Sequence, residues 1–95
     1  MNDAINSFYK CVSNNLLGSE RNKFRNVCYY LLEKYYVSHV CAFNLNELID
    51  YFKDSFVVLQ ILNYCAYNKE GDLYYINFDS IYKIEKYLNS SFNLL

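Results

Sequence analysis

The sequence predicts an all-α domain, built as a compact antiparallel bundle of five or six helices. Three observations carry that expectation. The 95 residues include no proline and only two glycines, so little in the chain interrupts a helix. Apolar side chains recur three and four positions apart along most of its length. A hydrophobic content of 54% with a net charge of −1 supplies one packed core and argues against a disordered chain. A single domain over residues 1–95 accounts for the length, with a tail from residue 90 to 95 expected to fray.

The first helix is expected to start at Asn2 or Asp3, to bury Ile5, Phe8, Tyr9, Val12 and Leu16, and to end at Gly18. Ser19 is placed to cap a second helix from about Glu20 to Glu33. Its stripe of Phe24, Val27, Cys28, Leu31 and Leu32 is the best amphipathic pattern in the chain. From Tyr35 to Phe43 the spacing loses its helical period, and a lone strand would lack a partner, so a packed loop with one helical turn is expected. Asn44 and Glu47 form a capping-box pattern for a helix that buries Leu45, Leu48, Ile49 and Phe52. Asp54 or Ser55 restarts the chain into a helix carrying Val58, Ile61, Leu62, Cys65 and Ala66. Asn68 to Asp72 reads as a polar turn and Leu73 to Ile76 as a short apolar one. Asp79 or Ser80 then caps a last helix with Ile81, Ile84 and Leu88 inward.

Little in the sequence suggests an enzyme. The single histidine, His39, has no Gly-rich phosphate loop or nucleophile elbow beside it. Cys11, Cys28, Cys41 and Cys65 form no C-x-x-C pair, so free thiols are expected, with His39 and Cys41 as the only close ligand-type pair. A Cys–His dyad lacks an evident orienting acid. No cofactor or metal is expected. The longest apolar runs fall far short of a membrane span, and no secretory signal fits the N-terminus, so a soluble intracellular chain is expected. Nine basic against ten acidic residues give no electrostatic footprint for nucleic acid, although a small helical DNA-binding or structural role stays open through Arg21, Lys23 and Arg25. Phe, Tyr, Met, Ile, Asn and Lys make up nearly half the chain. These residues have A/T-rich codons, so much of the tyrosine excess is read as genome composition.

The distribution of charge says more than its sum. Residues 20–34 carry Arg21, Lys23, Arg25 and Lys34 against Glu20 and Glu33, whereas residues 44–54 carry Glu47, Asp50 and Asp54 against Lys53. Two faces of opposite sign on a nearly neutral domain suit head-to-tail association through complementary charge.

These features together resemble the death-fold superfamily, and most closely the pyrin domain. Ser19-Glu20-Arg21-Asn22-Lys23-Phe24-Arg25 is similar to the start of that family's second helix. Leu45-Asn46-Glu47-Leu48-Ile49-Asp50-Tyr51-Phe52 is similar to its fourth, and Val58-Leu59-Gln60-Ile61-Leu62 to its fifth. The usual proline near the third helix is missing, and residues 79–95 run long. The death effector domain is the runner-up, but its Arg-x-Asp-Leu element is absent, the matching stretch reading Lys86-Tyr87-Leu88-Asn89.

A lone domain of this type with A/T-rich coding resembles the pyrin-only decoys of poxvirus-like sources. The resemblance implies a non-enzymatic protein in the host cytoplasm, with the nucleus as an alternative. Such a protein binds a host pyrin-domain adaptor and blocks inflammasome assembly and NF-κB signalling, with homo-oligomers as a further option. It places partner contacts at Arg21, Lys23 and Arg25 on the basic second helix, and at Glu47, Asp50 and Asp54 on the acidic fourth helix, with Asp3 joining from the first. The charge pattern adds Lys34, which shares a flank of the second helix with Lys23 as Arg21 shares the other with Arg25. The alternative is a death-effector-type or other apoptosis-regulating binder.

Overall fold

A computed structural model describes Phe8, Lys10, Val12 and residues 14–93, with side chains to Asn89. The fold is mixed α/β, which corrects the all-α bundle expected from the sequence. After a helical N-terminal segment that includes Phe8, Val12, Asn14 and Asn15, the order is α1 (Gly18–Ser38), β1 (Ala42–Asn44), α2 (Leu45–Phe52), α3 (Ser55–Tyr64), β2 (Tyr67–Glu70), β3 (Leu73–Ile76) and α4 (Phe78–Asn93).

The N-terminal segment breaks at Leu16–Leu17, and Gly18 opens α1 rather than closing the segment before it. Leu17, not Ser19, is the N-cap. A leucine side chain accepts no hydrogen bond, so the Glu20 carboxylate does the capping, accepting the Leu17 N–H at 2.9 Å. The expected stripe is fully realised: Phe24, Val27, Cys28, Leu31 and Leu32 are all buried. The helix does not stop at Glu33 but runs on through Tyr35, Tyr36 and Val37. It ends where His39 turns left-handed (φ 61°) and donates its N–H to the Tyr35 carbonyl at 2.7 Å.

The stretch from Tyr35 to Phe43 is therefore a loop only over His39, Val40 and Cys41. Before them lies the end of α1 and after them the start of β1. The strand did have a partner, some thirty residues on. β3 is the centre of a three-stranded antiparallel sheet ordered β1-β3-β2, pairing Phe43 with Tyr74 on one side and Lys69 with Tyr74 on the other. The residues read as a polar turn and an apolar turn are a β-hairpin closed by Gly71 and Asp72. Gly71 sits at φ 60° in the first position of a two-residue loop, the arrangement of a type II′ turn, whose twist matches that of the flanking strands. Strand alternation then sends Phe43 and Ile76 into the core, whereas β2, at the edge of the sheet, is exposed throughout.

Local signals set the remaining helices. Asn44 Oδ1 accepts the Glu47 N–H at 3.1 Å, and Asp54 Oδ1 accepts the Val57 N–H at 3.1 Å. Lys53 separates α2 from α3 by adopting φ 58°. Neither Asp79 nor Ser80 caps α4. The Asn77 carbonyl accepts the Ser80 and Ile81 N–H groups, and Ser80 is buried, its hydroxyl accepting the Ala66 N–H at 2.7 Å. The α4 backbone stays helical to Asn93.

The core lies where α1 packs on α3 and α4. At its centre Phe8, Phe24, Tyr64 and Tyr87 form a knot of rings. Phe24 lies 5.8 Å from Tyr64 and 6.0 Å from Tyr87, and Phe8 lies 5.5 Å from Tyr87, mostly edge-on or tilted. Among the described residues no helix is long and apolar enough to cross a membrane.

Two outcomes follow for stability. Phe24→Ala should cost about 3–5 kcal/mol in chemical denaturation, because it empties the middle of the ring cluster. Gly71→Ala should cost about 1–2 kcal/mol although a Cβ there meets nothing within 4 Å, since the penalty is conformational; Gly71→Asn should cost less.

Candidate functional site

Three pieces of backbone build a surface cleft. The α1 turns carrying Tyr30, Lys34 and Val37 form one wall. The α2 turns carrying Glu47, Leu48 and Tyr51 form the other, and Phe43 and Asn44 of β1 close one end. It consists of two adjoining hollows of about 460 Å³ and 220 Å³ that share Tyr30, Lys34 and Tyr51. The extension of α1 past Glu33 is what creates it, because Val37 and Ser38 line the larger hollow.

Aromatic packing stiffens the walls. The Tyr30 ring lies 5.2 Å from Tyr51 and 5.6 Å, edge-on, from Phe52. The Lys34 ammonium sits 5.7 Å from the centre of the Tyr30 ring, where the negative π face attracts it. Tyr51 is 67% exposed and Val37 78%, so the cleft presents large apolar side chains to solvent. Glu33, Lys34 and Glu47 are the charged residues of its lining.

The structure redistributes the residues that the sequence assigned to two opposed charged faces. Lys34 and Glu47, one from each face, line this same cleft. Lys23 and Asp54, also one from each, form an ion pair at 3.1 Å and so are partners within the chain. Asp54 lies beyond the end of α2, away from the helical face that would hold Glu47 and Asp50. Arg21 and Asp50 are exposed on α1 and α2. Arg25 is half-buried, with its Nε enclosed and without an acceptor. Asp3 lies outside the described residues. Four of the eight residues are thus drawn together, in two pairs.

Asp54 does two local jobs. Its Oδ1 caps α3 while its Oδ2 holds Lys23, and the Val57 N–H followed by the Lys23 ammonium keeps its carboxyl below the ordinary value of 3.8. A second cross-link joins α1 to α4, where the Tyr36 hydroxyl donates to the Glu85 carboxylate. That bond raises the Tyr36 pKa above its ordinary 10.0. Along α1, Tyr29 and Tyr36 are exposed, and Tyr30 and Tyr35 are half-buried.

The thiols are placed against nucleophilic chemistry. Cys28, Cys41 and Cys65 are free and buried. Burial raises the Cys28 pKa well above its ordinary value and takes Cys41 and Cys65 to about 12. The Cys41 thiol donates weakly to the Leu31 carbonyl at 3.6 Å, while His39 faces solvent at the end of α1. Cys11 lies outside the described residues. Among those described, no cluster of three or more histidine, cysteine or acidic side chains could hold a metal ion.

Tyr30, Val37 and Tyr51 are the cleft residues that sequence reasoning set aside. Tyrosine was discounted as composition, and Val37 fell in the presumed loop. The i, i+4 and i+7 spacing of Tyr30, Lys34 and Val37 was the available signal, once the helix was known to continue. The chain matches no protein-family model, no curated protein and no solved structure.

Two titrations check these environments. In native protein at neutral pH the three described thiols should resist alkylation by iodoacetamide and react once the chain is unfolded. The unfolded thiols ionise near 9.0 and Cys41 and Cys65 near 12, so the folded state binds more protons between those values and stability should fall as pH rises through that window. The sign for Asp54 is opposite. Its contribution is present above 3.8 and is lost as pH falls through the lower folded value, so NMR should find it titrating below 3.8. Asp54→Asn keeps the cap and should cost less in denaturation than Asp54→Ala, which loses about 1 kcal/mol of capping.

Proposed function

We propose that this chain is a non-enzymatic protein-interaction domain that docks a segment of another protein in the α1–α2 cleft. The observation that carries the reading is the exposure of Val37 and Tyr51 across a hollow braced by Tyr30, Phe52 and Lys34. Exposed apolar surface lining a cleft favours an anchor side chain that buries it on binding, and aromatic walls give a rigid seat at low entropic cost. Glu33 and Lys34 on the α1 wall and Glu47 on the α2 wall offer a partner both signs of charge, which suits recognition of a particular segment more than simple stickiness.

The finer reading, a decoy for a host pyrin-domain adaptor, drew on an all-helical frame with a basic second and an acidic fourth helix. That frame gives way to the sheet, and Lys23 and Asp54 neutralise each other. The decoy reading keeps only the general idea of a lone binding domain, together with Lys34 and Glu47 as contacts. It enters the test as one arm.

Val37→Lys and Tyr51→Ala are suitable probes because both side chains are exposed, and a cation near the end of α1 suits the helix dipole. Each variant should keep its melting temperature within a few degrees and lose at least tenfold in affinity for proteins that the wild-type domain captures from host lysate. Purified pyrin-domain and death-effector adaptors form parallel arms. Equal capture by wild type and variants would remove the cleft from consideration, and absence of any captured protein would end the interaction reading. Titration with duplex DNA at increasing salt should show no steep loss of binding, because steep loss belongs to phosphate contacts.

A further inference from the structure

We propose that β2 is a self-pairing edge, through which two copies of this chain associate by antiparallel strand addition about Asn68. Among the described residues the sheet order leaves β2 at the rim, hydrogen-bonded on one side only, and all four of its residues are exposed. Antiparallel pairing alternates the direction of backbone groups along a strand. Glu70 and Leu73 flank the two-residue loop, Asn68 lies opposite Tyr75, and the Asn77 N–H donates to the Ala66 carbonyl at 3.0 Å. Ala66, Asn68 and Glu70 therefore turn their N–H and C=O groups toward β3, and Tyr67 and Lys69 turn theirs outward. That leaves two donors and two acceptors in a row on an edge with neither a proline nor a bulge to block it.

The occupant that fits this row is a second copy. With a two-fold axis passing through Asn68 perpendicular to the sheet, Tyr67 of each strand falls opposite Lys69 of the other, and four backbone hydrogen bonds close. Both side chains of each cross-strand pair then lie on the face that carries Tyr74. There the Lys69 ammonium already sits 5.3 Å from the centre of the Tyr74 ring, and the Tyr67 ring lies 5.4 Å from the same ring. Pairing extends this cation–π arrangement, giving Lys69 the ring of the opposite Tyr67. No pair of like charges is set directly opposite. The strand is short, so the buried area lies below that of a stable dimer and the association is a weak, concentration-dependent one. The surface is separate from the α1–α2 cleft and does not depend on it.

Sedimentation of the full chain from micromolar to millimolar concentration provides the test, with amide hydrogen exchange of β3 as the control for folding. The wild-type average mass should climb toward that of a dimer. Lys69→Pro removes an outward N–H that bonds to nothing within the sheet, so it should stay monomeric while the β3 amides keep their protection. Tyr67→Glu sets carboxylates against Lys69, and Tyr67→Lys sets cations against it. The first should associate at least tenfold more tightly than the second, a difference that a merely structural role for Tyr67 would not produce. A wild-type chain that is monomeric throughout would overturn the proposal and leave the edge to an extended segment of another protein. Association unchanged by Lys69→Pro would overturn it by moving the contact elsewhere.

Discussion

The four-ring cluster of Phe8, Phe24, Tyr64 and Tyr87 is the constraint on which the other parts of the molecule rely. Each ring comes from a different part of the chain: the N-terminal segment, α1, α3 and α4. Rings of this size dominate a small core, and edge-on contacts fix their mutual orientation more tightly than aliphatic packing would. Once Phe24 is held, the stripe behind it carries Val27, Cys28 and Leu31 inward, and the opposite side of α1 faces outward along its whole length. The cleft then follows from that orientation, because Tyr30, Lys34 and Val37 are on the flank that α2 approaches.

What the sequence made readable was whatever depends on neighbours three or four residues away. The α1 stripe, the Asn44 and Asp54 starts of α2 and α3, and the inward Ile81, Ile84 and Leu88 of α4 all rest on such local spacing, and all of them occur. The sheet rests on something else. Tyr67-Asn68-Lys69-Glu70 has no apolar alternation, because β2 is solvent-exposed along its length, and β1 acquires its partner across thirty intervening residues. Gly71 beside Asp72 was the one short-range hairpin signal, and it was read as a plain turn. The lack of proline favours helix in a sequence reading, yet a missing helix breaker permits strands just as readily.

The candidate site divides in the same way. Lys34 and Glu47 were legible as charges, but their meeting in one cleft depends on how α2 folds back on α1. Lys23 and Asp54 are separated by 31 positions, and nothing local signals their pairing. Tyr30 and Tyr51 were visible and were dismissed. Whatever the origin of the tyrosine excess, each ring has to be housed, and one that ends up beside a cation, as Tyr30 does beside Lys34, acquires chemistry there.

His39 and Lys53 hold left-handed backbone without being glycine, each at a cost of about 1 kcal/mol, and each closes a helix. Neither residue chooses that conformation for itself; the packing of the elements on either side imposes it. Both joints adjoin the cleft: His39 follows Val37 and Ser38 of its larger hollow, and Lys53 lies two residues past Tyr51. The shape of the cleft walls is thereby tied to two backbone conformations that cost energy to hold.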